Sequence, residues 1–495
     1  MGVGFVANVQ VQSGTVADGK LQRRLRSRHL SIIAIGGAIG TGLFVASGAL
    51  INSAGPGGAL LAYIVIGIMM YFVMTSLGEM ATLLPTSGSF ATYATKFVDP
   101  ALGFSIGWNY WFSWAVTIPV ELSAATLVMK YWFPHTPSIV WSSIFLAILF
   151  TLNILSVRSY GEAEFWFAGI KVIAIIVFIL LGIGMIFGIL TQPAVGFHNF
   201  VLGGSPFHGG FMATFGVLMI AGFSFQGTEI VGIAAGESDN PSRNVPRAIN
   251  TVFWRILIFY VLSILIIGLI IPYTDPNLLK NDVTNIAVSP FTLVFKRAGL
   301  AFAAGLMNAV ILTSVLSCGN SAIYASTRML WALAKEGKAP KLFTRVNSRG
   351  VPTYALYVTT IFGFLAFLSS LFGNGVVFIW LLNCSGMTGF ITWLWISICH
   401  YRFRKAYVAQ GRNLNELKYR AKWYPFGPLF AIVLCAIVIL CQGYGDFTGG
   451  PIQWGNVIAT YIGLPVFLLL WLLYKWIRKT RVIPLSDCVF DPDEA

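Results

Sequence analysis

The sequence predicts an all-α polytopic membrane protein with twelve transmembrane helices, and three observations predict it. Apolar stretches of 18 or more residues recur along the whole length of the 495 residues. Only 10% of the residues are charged and 57% are hydrophobic, where a soluble domain carries about 25% charge. The basic residues between the apolar stretches favour one side of the membrane, as the count below shows.

In order, the predicted spans cover 31–54, 59–83, 101–130, 138–157, 165–190, 211–235, 251–272, 298–333, 354–373, 376–399, 427–443 and 456–474. With the N-terminus inside, 27 of the Lys and Arg residues lie in or beside inside segments, four lie outside, and Lys171 falls within a span. That asymmetry supports an even span count and cytoplasmic termini. It also accounts for the formal charge of +14 as basic loops facing anionic lipid rather than nucleic acid. The polar first 30 residues, followed by a long span, do not resemble a cleaved signal peptide. The six cysteines show no CxxC spacing, so neither disulfides nor a metal site is expected.

Span 1 carries Gly36-Gly-Ala-Ile-Gly-Thr-Gly42, four glycines in seven positions. Each interior glycine costs a helix about 1 kcal/mol relative to alanine. Broken backbone at bilayer depth persists only where protein or a water-filled cavity satisfies its polar groups. A second interruption, Gly222-Phe-Ser-Phe-Gln-Gly-Thr-Glu229, lies in span 6. Five spans separate the two starts, so the units 31–190 and 211–400 would cross the membrane in opposite senses. Such a five-plus-five inverted repeat with matching broken helices points to a transporter binding site. The remaining divisions are an N-terminal tail (1–30), a basic cytoplasmic loop (401–426), two helices outside the repeat (427–474) and a C-terminal tail (475–495).

A half-helix N-terminus offers N–H groups suited to a carboxylate, and a half-helix C-terminus offers carbonyls suited to an ammonium. Two such breaks together match the head group of an α-amino acid. The spans also carry ionisable residues, each costing about 2.5–3.5 kcal/mol at mid-bilayer. Lys171 lies nine residues past Glu162, which is close to the cytoplasmic start of span 5; that is about 13 Å along the helix, near the centre of a core about 30 Å thick. Burial disfavours its charged form, so it is either a proton carrier or a static charge on broken-helix carbonyls. Glu121, after Pro119 in span 3, either meets a cationic substrate group or is a structural carboxylate, with only one other buried cation in sight. Glu229 either caps a half-helix starting at Thr228 or contacts substrate or proton. Glu79, near the end of span 2, is expected to be solvated or paired with a loop.

The motifs RHLSIIAIGGAIGTGLFVASG (28–48), AGPGGALL (54–61), SLGEMATLLPTSGSFATYA (76–94), SVRSYGEAEFWFAGIKV (156–172) and GFSFQGTEIVGIAAGES (222–238) resemble those of amino acid permeases of the amino acid–polyamine–organocation (APC) superfamily. GWNYWFSWAVTIPVEL (107–122), IPYTDPNLL (271–279) and LLNCSGMTGFITW (381–393) resemble its bacterial lysine branch. The resemblance runs from about residue 21 to 480. It implies a LeuT-like fold with substrate between spans 1, 3, 6, 8 and 10. N–H groups around Gly40, Thr41 and Gly42 would hold the substrate carboxylate. Carbonyls of Ala38, Phe223 and Gln226 would hold its α-ammonium, with Phe223 as an aromatic gate. Lys171 matches a lysine of proton-coupled members that stands where sodium-coupled relatives bind sodium, and Glu229 is the second proton-coupling candidate. Glu121 falls at a side-chain pocket position, although permeases for neutral substrates also carry a carboxylate there. Ser314 and Ser385 are pocket candidates, with Asn308, Thr313, Ser317 and Thr388; for each, a helix–helix hydrogen bond is the alternative.

The expected function is import of L-lysine by proton symport across the inner (cytoplasmic) membrane. The alternatives are a permease for arginine, an aromatic or a γ-amino acid, or a lysine-binding membrane sensor. No catalytic residue, cofactor, metal or nucleic acid is expected, and a membrane-protein partner is left open.

Overall fold

The computed structural model describes residues 39–155, 157–190, 194–278, 289–447, 451–452 and 454–490. Among these, eight helices are long and apolar enough to cross a membrane. They become nine if Trp454–Tyr461 and Gly463–Arg478, bent by 43°, count as one span. Two shorter apolar helices, Gly210–Phe223 and Phe426–Cys441, join them. No β-strand occurs among the described residues, only an isolated bridge between Val346 and Pro352.

The difference from twelve has physical causes. Predicted spans 1 and 2 run together as Gly42–Leu83, but the backbone turns between them at Gly55 (φ 74°, ψ 169°), just before Pro56. Glycine adopts that φ without steric penalty. The turn also receives a loop from afar: Gly57 N and Gly58 N both donate to Pro206 O, at 2.8 and 3.3 Å. A Cβ on Gly55 would stand 2.6 Å from that same oxygen. Predicted span 6 is short because its helix stops at Phe223 and resumes only at Ile230.

The span 3 helix, Pro100–Met129, forms the centre of the bundle. Within its most apolar window 83% of residues are buried, against 28% for Ser138–Leu155 and 33% for Thr353–Phe372. These last two, spans 4 and 9, therefore make the rim. Small residues allow the centre to pack closely: a Cβ on Gly107 would stand 2.5 Å from Leu333 Cδ2, on the span 8 helix Ala301–Lys335.

The segment after span 12, expected only as a tail, is a strap across the ends of three helices. Ile483 N donates to Val98 O at 2.9 Å. Arg402, on the span 10 helix Asn374–Ala409, donates to Phe97 O at 2.7 Å and to Ile483 O at 2.6 Å. Gln410 Nε2 donates to the carbonyls of Leu485, Ser486 and Cys488 at 2.9, 3.1 and 2.9 Å. Phe490 is buried against Phe97, Phe403 and Tyr407.

Asp99 ties this strap to span 3. It accepts from Ala101 N as a helix cap, from Lys475 Nζ and from Thr480 Oγ1, at 2.9, 2.6 and 2.7 Å. Burial pushes its pKa up, but these hydrogen bonds and the Lys475 charge outweigh burial and hold it below the ordinary carboxylate range. The lowered value means the anchor contributes fully above the unfolded pKa of about 3.9 and is lost as pH falls through the lower folded value. Asp99→Asn is therefore expected to loosen the strap even at neutral pH. Limited proteolysis should then cut after Lys479 or Arg481 faster than in the parent; equal rates would count against the anchor.

Candidate functional site

The start of the described part of span 1 meets the span 6 break at the centre of the bundle, while residues 31–38 of predicted span 1 lie outside the described residues. After Gly40 and Thr41 the chain enters a π-helical turn, Gly42–Ala46, which passes into the helix beginning at Ser47. In span 6, residues 224–229 descend through short turns: Phe225 N donates to Gly222 O at 2.8 Å and Gln226 N to Phe223 O at 3.1 Å, with Gly227 at φ 100°. Gly42 lies directly on this second break. A Cβ there would stand 2.5 Å from Ser224 Cα and 2.8 Å from Ser224 N.

Glu121 reaches this junction from span 3. Thr41 Oγ1 donates to Glu121 Oε2 at 2.5 Å, with both residues buried. A narrow cavity opens beside them, lined by Gly40, Thr41, Gly42, Glu121, Phe223 and Gln226. Trp114, Thr117 and Cys318 complete its wall. Six of the eleven predicted site residues thus share one cavity. Ala38 lies outside the described residues.

The other four lie around it. Ser314 Oγ donates to Ile39 O at 2.8 Å, so it holds the first break from behind. Ser385 Oγ is 2.7 Å from Thr117 Oγ1 and donates to Gln226 Oε1 at 3.3 Å, while Gln226 Nε2 donates to Ser113 Oγ at 2.9 Å. This network joins spans 3, 6 and 10 behind the cavity wall. Of the further polar residues named on spans 8 and 10, Asn308 accepts from Thr292 at 2.8 Å. Thr313 and Thr388 donate to carbonyls of their own helices.

Glu229 is fully engaged away from the cavity lining. It accepts from Gly227 N at 3.2 Å, from Trp393 Nε1 at 3.2 Å and from Tyr110 Oη at 3.4 Å. The half-helix starts at Ile230, not Thr228, and the Glu229 side chain makes no cap bond to it. The carboxylate instead holds the N–H of the break itself, two residues back.

Lys171 is buried in span 5, and its Nζ lies 3.9 Å from Glu164 Oε1. Sequence reasoning missed Glu164. The signal was present: a separation of seven residues is two helical turns, which puts both groups on one face.

Other buried cations also went unrecognised. Arg255 is 1% exposed and donates to Thr228 Oγ1, and Arg328 is 2% exposed and pairs with Glu237 at 3.0 Å. Both lie near predicted span ends, beside basic loops. Glu79 is 1% exposed, which overturns the expectation that it is solvated. The loop pairing is real: Ala421 N donates to Glu79 Oε2 at 2.7 Å. Arg404 clasps both carboxylate oxygens, with Nε to Oε1 at 2.6 Å, and His400 Nε2 lies 3.3 Å from Oε2.

Over residues 29–484 the chain matches the family model for the amino acid permease. It belongs to the amino acid permease family. This permease is 60% identical over 482 residues to the lysine-specific permease LysP of Escherichia coli (strain K12), a match covering 97% of this chain and 98% of that protein. It is 49% identical to LysP of Lactococcus lactis subsp. cremoris (strain MG1363), covering 96% of this chain and 94% of that one. It is 51% identical to the histidine permease HisP of the same strain, covering 95% and 98%. These relatives are permeases, not enzymes. Among solved structures, the permease resembles a manganese transporter of Eremococcus coleocola with a TM-score of 0.54 at 13% identity, covering 91% of this chain and 94% of that one. A second structure of that transporter gives 0.57. This likeness is one of fold alone.

Proposed function

We propose that this amino acid permease imports L-lysine together with a proton, by alternating access across the inner (cytoplasmic) membrane, with both termini in the cytoplasm. The units 31–190 and 211–400 act as the inverted repeats, and residues 427–474 flank them. The observation that carries the proposal is the Glu121 carboxylate bonded to Thr41 inside the cavity between the two breaks. The breaks hold what every α-amino acid shares. N–H groups of Gly40, Thr41 and Gly42 take its carboxylate, and carbonyls of Ala38, Phe223 and Gln226 take its α-ammonium, under Phe223 as gate. Glu121 meets the ε-ammonium. Ser314 and Ser385 support the walls, and Lys171 carries the coupling proton while Glu229 steadies the second break.

Overall similarity does not choose between lysine and histidine, since the HisP identity of 51% falls between the two LysP values of 60% and 49%. A carboxylate in the pocket suits the ε-ammonium of lysine, but Glu121 does not set the selectivity alone, since permeases for neutral substrates carry a carboxylate there too. Uptake of labelled lysine by proteoliposomes, with and without an inward proton gradient, tests the proposal. Accumulation that follows the gradient and is competed by lysine far better than by histidine or arginine is expected. Accumulation indifferent to the gradient would remove the proton, and preferential competition by histidine would replace the substrate.

Glu121→Gln provides a finer prediction. Lysine binding is expected to weaken at least tenfold, about 1.4 kcal/mol, because the counter-charge is lost. Binding of norleucine, which has no ε-ammonium, should change less than about threefold on the same scale. Titration of intrinsic fluorescence in the purified protein measures both. Equal loss for the two ligands would place Glu121 outside ε-ammonium recognition.

A further inference from the structure

Lys171 does not stand alone in the membrane-spanning region. Glu164 lies two turns away on the same helix, its side chain 0% exposed like that of Lys171, with Oε1 at 3.9 Å from the ammonium. Ser317, on the span 8 helix, donates to both of its oxygens, at 2.7 and 2.8 Å. The Ser317 hydroxyl has one hydrogen, so it donates to one oxygen at a time while both stay within its reach. The pair therefore bridges span 5 and span 8, and span 8 lines the cavity through Cys318.

The physical problem at Lys171 is to keep an ammonium charged without water. Burial alone favours the neutral amine, and an opposite charge close by favours the ammonium. Glu121 acts on Lys171 electrostatically but is bonded to Thr41 in the cavity wall. Glu164 is not among the residues that line the cavity.

The other titratable groups near the pair are few. Tyr160 on the same helix, Cys318 on span 8 and Glu121 on span 3 are in its field. Arg328 and Glu237 lie beyond Tyr160. Of the helices packed on span 5, Ser138–Leu155 and Ser263–Ile270 carry no titratable residue. Ile256–Leu262 carries Tyr260, and Pro290–Arg297 ends on the exposed Lys296 and Arg297.

We propose that Glu164 is the positioning counter-ion of Lys171: it holds the ammonium at the junction of spans 5 and 8 and sets the pH range in which the coupling proton is kept. The proposal rests on the proton-symport reading above. When the proton is taken up, an N–H bond forms at Lys171 Nζ from water on one side. When it is released, that bond breaks to water on the other side, with Glu164 still beside the site.

The test is the pH profile of gradient-free lysine uptake in proteoliposomes, compared between the parent and Glu164→Gln. Loss of the counter-charge makes the ammonium harder to keep, so half-maximal uptake should move to more acid pH by about one to three units. Glu164→Asp keeps the charge but withdraws it, and its midpoint should fall between the two. A Gln variant with the parental midpoint overturns the proposal. If the Gln variant does not assemble in the membrane, an Asp variant with the parental midpoint overturns it by itself. A parental protein whose uptake ignores pH and proton gradient refutes the symport reading first, an outcome distinct from a pH-dependent parent with an unshifted variant.

Discussion

Gly42→Ala is expected to reduce lysine uptake on the order of 100-fold, as for a displacement of about 1 Å at a reacting centre. The added methyl would stand 2.5 Å from Ser224 Cα and 2.8 Å from Ser224 N. Both are backbone atoms, so no side-chain rotation relieves the clash. The two breaks must move apart by about 1 Å to reach ordinary contact distance, because a packed interior has little slack. That movement separates the two backbone segments that line the cavity. Gly40→Ala is a useful contrast, since its Cβ would meet the Cys318 side chain rather than backbone. Gly40→Ala combined with Cys318→Ala should regain part of the activity. Initial rates in proteoliposomes, normalised to inserted protein, measure all three; uptake by Gly42→Ala within threefold of the parent would show that the breaks need not touch.

Arg404→Met is expected to destabilise the protein by about 3–5 kcal/mol, the usual result of removing one partner of a buried ion pair. The loss is large because Glu79 would remain buried among His400 and the Ala421 N–H without its principal counter-charge. Replacing both partners, as Glu79→Leu with Arg404→Met, removes the stranded charge and should recover most of the stability. Unfolding followed in detergent by accessibility of the buried Cys399 and Cys435 thiols would report it. A single variant as stable as the parent, or a double variant worse than the single, would contradict this account.

The fold was legible in the sequence because a membrane leaves few solutions. Long apolar stretches must be helices, and the glycine runs at 36–42 and 222–229 must be breaks. The cavity residues followed from the breaks: Gly40, Thr41, Gly42, Phe223 and Gln226 lie on them, and Glu121 was conspicuous as a carboxylate beside a proline in mid-span. What the sequence did not disclose was pairing across distance. Glu79 and Arg404 are separated by 325 positions, and nothing local in either segment names the other. Glu164 was concealed differently. Its neighbour Glu162 marked the boundary of span 5, so a second acid two residues later was absorbed into the boundary. Ser314 and Ser385 were identified as pocket groups, but their hydroxyls are occupied by Ile39 O and by Thr117 and Gln226. Hydroxyl direction depends on helix rotation, which periodicity fixes only to within a residue.

The strap has a consequence for how this chain can diverge. Arg402 and Gln410 grip it through the carbonyls of Ile483, Leu485, Ser486 and Cys488, which every amino acid possesses. The exposed side chains of Pro484, Ser486 and Asp487 are thus released from duty, while the two gripping residues and the buried Cys488 and Phe490 are not. Saturation mutagenesis scored by growth on limiting lysine should find these three positions permissive and the other four intolerant.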